Sequence, residues 1–182
     1  MIDAGYMARA ISAKPEDLDL PGVDDIYSFS SCISDYFADY INFWAHNGYW
    51  LFDSPKIILD LASTHAINLN GAKLFFYQVY EFEWSEHDRA WREFTPESSF
   101  PTSVVAPHKC HLEGFDVATF SNGNSAECSP LSCNGLAADM PVNTHCLISS
   151  FDNAKRFLEE GKFNNSEPGP FRIFAVYSTE WS

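Results

Sequence analysis

Residues 142–178 switch period twice, and few folds accommodate such a pattern. Residues 142–148 read as a strand. Phe151, Ala154, Phe157 and Leu158 then recur at three- and four-residue steps behind Ser150, Gly161 stops the helix, and residues 171–178 return to strand composition. Strand, helix and strand predict a C-terminal β-α-β unit. Neighbouring strands joined this way run parallel with a right-handed crossover, although the loop 164–170 is long enough for antiparallel placement.

The rest of the chain supplies partners for that unit. Residues 73–84 are so rich in Phe, Tyr and Val that they predict a central strand, and residues 113–121 predict another through Phe115, Val117 and Phe120, with a turn at 121–125. A short strand is expected at 102–106. Helices are expected over 31–46, where Ile33, Tyr36, Phe37, Tyr40, Ile41 and Trp44 make an aromatic face, and from Asp53-Ser54-Pro55 onward, where proline sits at the first helical position. Residues 1–29, broken by Pro15, Pro21 and Gly22, read as an extended arm. The fold class expected is α/β or α+β: one domain over residues 1–182, with a mixed sheet of about four to six strands covered by about three helices.

Composition bounds the function. Sixteen Phe, eight Tyr and five Trp argue for a packed core and against disorder. The acidic residues among the first twenty exclude the apolar core of a secretory signal there, and no segment has the roughly 20 apolar residues of a membrane span, so a cytoplasmic location is expected. A formal charge of −14 repels phosphate backbones and anionic lipid surfaces, which disfavours direct nucleic-acid or membrane binding and favours a basic protein partner.

Chemistry concentrates between His108 and Cys146, a stretch holding four of five cysteines and three of six histidines. A zinc site would draw on His108, Cys110, Cys128 and Cys133, although structural zinc sites usually space paired ligands roughly two to four residues apart on a knuckle, and these do not follow that pattern. A reactive thiol is the second possibility. Ser129-Pro130 resembles a helix start, which would place Cys133 in or just beyond the first turn, where backbone N–H groups stabilise a thiolate. His145 would be its base, oriented by Asn143 or Asp116. Simple packing competes with both, because free cysteine is commonly buried as a small hydrophobe; Cys32 and Cys146 suit that role.

Glu81 and Glu83, about 7 Å apart along a strand, form a carboxylate pair that an ordinary solvated face also explains. No phosphate-binding glycine loop, G-x-S-x-G elbow or H-E-x-x-H motif occurs, and no cofactor is implied. The leading expectation is an acidic interaction or regulatory domain, of inhibitor or immunity type, acting on a basic partner. A thiol-dependent enzyme or small-molecule-binding protein using Cys133 and His145, and a zinc-stabilised domain, are the alternatives.

Overall fold

The computed structural model describes residues 1–13, 20–29, 47–94, 101–120 and 128–181. Its frame is a six-stranded sheet in which β1 (Ile2–Arg9), β4 (Lys73–Val79), β8 (Phe171–Thr179), β5 (Phe82–Ser85) and β6 (Ala90–Glu93) follow one path, and β7 (Cys110–Thr119) pairs with β8 from the other side. A two-residue ladder joins β2 (Ser12–Ala13) to β3 (Asp25–Ile26). Every strand pair among the described residues is antiparallel, so the α+β form of the expected class is the one found, with an antiparallel sheet where a mixed one is expected.

β8 lies at the centre because it can be buried on both faces. One edge pairs with β4 from Leu74↔Thr179 to Val79↔Phe174, the other with β7 from Cys110↔Thr179 to Thr119↔Phe171. Alternate residues feed two cores. Phe174 and Val176 pack with β1, β4 and Ile58 of α1 (Pro55–His65), while Phe171, Ile173 and Ala175 pack with Ala154, Phe157 and Leu158 of α3 (Phe151–Glu159). α3 starts as expected, Ser150 accepting a hydrogen bond from the Asn153 N–H at 3.2 Å.

Four expectations change. The strand expected over 73–84 divides: β4 ends at Val79, the Tyr80 N–H reaches the Ile173 carbonyl at 2.9 Å, and β5 resumes where Trp84 faces Phe171. One apolar run thus serves two stretches of the same β8 edge. Residues 1–29 are not an arm at their start, since β1 is buried along most of its length and in register with β4. Gly5 hides this strand from period counting. Its φ is +132°, and a Cβ there would sit 2.7 Å from the Phe52 carbonyl oxygen, so the close approach of residues 47–52 requires glycine. Residues 102–106 form no strand; Ser103 instead donates its N–H to Asp53 at 2.6 Å.

The fourth change is at 142–148. Asn143 accepts hydrogen bonds from the N–H groups of His145 (2.9 Å) and Leu147 (3.1 Å), and Cys146 adopts a φ of 60°, so these residues turn, and only Ile148 bridges to Phe115. That bridge and β8 are both antiparallel to β7 and lie on its opposite edges. They are therefore parallel to each other, and the expected unit is a split β-α-β with β7 inserted. The helix expected at 31–46 and the turn at 121–125 lie outside the described residues, as does Cys32. No helix among the described residues is long and apolar enough to cross a membrane.

Candidate functional site

The cysteine-rich segment separates along β7. Cys110 opens the strand and is exposed, whereas Cys128 bridges Thr119 at its far end. The ten residues of β7 hold the two ends about 30 Å apart. The quartet His108, Cys110, Cys128 and Cys133 therefore cannot converge on one zinc ion, and among the described residues no group of three or more His, Cys, Asp or Glu is placed to hold a metal.

α2 (Pro130–Cys133) does begin with the expected Ser129-Pro130 pair, but it is a single turn, and the Cys133 N–H is taken by the Ser129 carbonyl at 2.9 Å. Cys133 is half-buried near Asp116 and Cys146. Asp116 is buried, accepting from the Phe29 N–H (2.6 Å), the Ser129 hydroxyl (2.7 Å) and its own neighbour Val117 (2.8 Å). Burial pushes its carboxyl up to about 6 against the pull of those donors. Burial, followed by the Asp116 charge, pushes the Cys146 thiol up to about 12, which makes it a packing thiol.

His145 stands elsewhere in the network. Its Nδ1 is hydrogen-bonded to Asp25, its Nε2 faces Glu113 at 3.6 Å, and its ring stacks on Tyr27 at 4.0 Å between centroids. The Ser178 hydroxyl donates to the other oxygen of Glu113, and the Lys73 ammonium donates to the Tyr27 hydroxyl while lying 4.4 Å from its ring centroid. Both imidazole nitrogens are thus directed at carboxylates and not at a thiol. Asp25 orients the ring in place of Asn143 or Asp116; Asn143 shapes the turn through backbone N–H groups and donates to the Glu113 carbonyl at 2.6 Å. Asp25 lies 120 residues from His145, and no local pattern announces the pairing.

A different surface has the form of a binding site. The β5–β6 hairpin and the C-terminal end of α3 enclose a groove of about 410 Å³, walled by Trp84 and lined by Glu86, Glu159 and Glu160, with His87 and Arg89 at the hairpin turn. A second groove of about 260 Å³ shares Glu86 and His87 and continues along Glu83, Arg92 and the 168–170 loop. Arg92 is neutralised by Asp88, and Glu83 is committed to Arg172. Glu81 and Glu83 therefore do not act as a free carboxylate pair. The carbonyl end of α3 adds its partial negative charge to Glu159 and Glu160. Trp91 donates its Nε1–H to Glu159 at 2.8 Å, which holds that carboxylate at the groove.

The class these features define is an acidic α+β domain with an antiparallel sheet and a carboxylate-lined double groove. Comparison with known proteins finds no family model that matches the chain, and no curated protein or solved structure with significant similarity to it.

Proposed function

We propose that this protein is a cytoplasmic interaction domain that captures a basic segment of a partner protein, in the manner of an inhibitor or immunity protein. The observation that carries this reading is the pair of adjoining grooves in which Glu86, Glu159 and Glu160 gather around Trp84, with Arg156 3.9 Å from Glu160 and Glu159 held by Trp91. A lysine or arginine side chain placed there meets carboxylates, a helix carbonyl end and an aromatic wall, each of which favours a cation. The net charge of −14 supports the same partner by steering basic surfaces inward and turning nucleic acid away.

Titration with an arginine-rich peptide, followed by calorimetry at low salt, tests the idea. Glu159→Gln with Glu160→Gln is expected to weaken binding by about tenfold, and raising salt should weaken it further. An affinity unchanged by the double substitution, or equal affinity for a neutral peptide of the same length, would sink it.

A further inference from the structure

The end of the sheet remote from the acidic groove carries the opposite sign. β8 finishes between its two neighbours, and the ends of the three strands enclose a cavity of about 350 Å³. β4 contributes Lys73 from one side, Lys109 and His111 approach from the β7 side, and Ser178 and Thr179 lie between them. Glu180 is the one carboxylate among the described residues that line this cavity.

This concentration is notable in a chain with 11 basic against 25 acidic side chains. Lys56, Arg92, Arg156 and Arg172 are each spent on a carboxylate. Among the described residues Lys73 and Lys109 form no ion pair. Lys73 is held by the Tyr27 hydroxyl, which positions the ammonium without cancelling its charge, and Lys109 is exposed. Two lysines flanking a strand end act as point charges, the usual way in which lysine holds a phosphoryl group. His111 adds a ring nitrogen beside them, whereas the Ser178 and Thr179 hydroxyls already donate to Glu113 and to the Lys109 carbonyl, so the lysines carry the recognition.

We infer that this cavity is a binding site for the phosphate group of a small ligand, independent of the acidic groove and of any partner bound there. Cys110 also lines it and is the exposed cysteine of the described residues, so the site carries its own reporter.

The test measures thiol–disulfide exchange at Cys110 by mass-spectrometric mapping. An anionic aromatic disulfide, 5,5′-dithiobis(2-nitrobenzoate), is compared with neutral 2,2′-dithiodipyridine, each rate being normalised to the unfolded chain. The protein's net charge alone would slow the anionic reagent. The local site instead predicts a preference for it of about fivefold at low salt, lost near ~0.5 M salt. Lys109→Met should remove at least half of that preference, and Lys73→Met, made separately, should do the same without touching the exposed β7 start. Millimolar inorganic phosphate should slow labelling of Cys110 in the wild type and not in Lys109→Met. A preference for the neutral reagent, protection by acetate equal to that by phosphate, or protection that survives Lys109→Met would each overturn the assignment.

Discussion

Glu83 closes one edge of the Arg172 guanidinium, its Oε2 accepting from Nε at 3.2 Å and from Nη2 at 3.1 Å. Phe94 and Phe120 cover the cation, with centroids 3.2 and 3.8 Å from its central carbon. Nη1 is buried with no hydrogen-bond partner among the described residues, and burial lowers the guanidinium to about 10 against the opposing pull of Glu83. Removing Glu83 leaves that charge uncompensated. Glu83→Ala should lose about 3 kcal/mol in urea unfolding at pH 7. Arg172→Met, which keeps the aromatic packing and discards the charge, should lose clearly less; an equal loss would show that packing and not pairing sets the energy.

Asp116 gives the stability profile a defined pH window. Its folded value of about 6 lies above the unfolded 3.8, so the folded state binds more protons between them, and this group's contribution is complete below pH 3.8 and lost as pH rises past 6. The difference in unfolding free energy between wild type and Asp116→Asn should shift against the wild type by about 3 kcal/mol between pH 3.5 and 7. A difference that stays constant over that range contradicts the assignment.

The four described cysteines should separate by exposure. Brief iodoacetamide treatment of the folded protein should label Cys110 first and Cys133 next, with Cys128 and Cys146 reacting only in denaturant. Because the His145 ring faces Asp25 and Glu113, His145→Ala should leave the Cys133 rate within about twofold. A large slowing would restore the thiol–imidazole pair.

The same substitution should act on the chain that His145 pins. The Asp25 and Tyr27 N–H groups donate to the carbonyls of Thr144 and His145, and the ring adds the Asp25 contact and the Tyr27 stack. Hydrogen exchange over residues 24–29 should accelerate about tenfold or more in His145→Ala, with protection in β4 and β8 kept. Uniform acceleration would mean that the variant loosens the whole fold.

Gly5→Ala tests the strand that local pattern concealed. A methyl group there meets backbone at 2.7 Å under a positive φ, and the expected loss is about 3 kcal/mol or more, seen as a fall in urea midpoint. Retention of full stability would require the 47–52 segment to have moved.

Elements whose signals are local were legible in the chain: α3 behind Ser150, α1 behind Ser54-Pro55, and the apolar runs of β4, β7 and β8. What depended on distant partners was not. Nothing near residue 80 tells that β4 and β5 share one edge of β8, and Gly5 with its small neighbour Ala4 obscures β1. His145 was singled out as a chemical group, yet its partners Asp25 and Glu113 come from 120 and 32 positions earlier. The one clue to the buried ion pair was Arg172 standing inside an otherwise apolar run, since such a residue needs a counter-charge wherever the strand is covered on both faces.

The central position of β8 sets a timetable for biosynthesis. Among the described residues β4 and β7 meet only through it, so a nascent chain emerging from the ribosome carries one open edge on each until residues 171–179 have cleared the exit tunnel. Chaperone engagement should therefore persist until residues 171–179 have emerged, and ribosome stalling before that point should yield fragments that aggregate in place of partly folded domains.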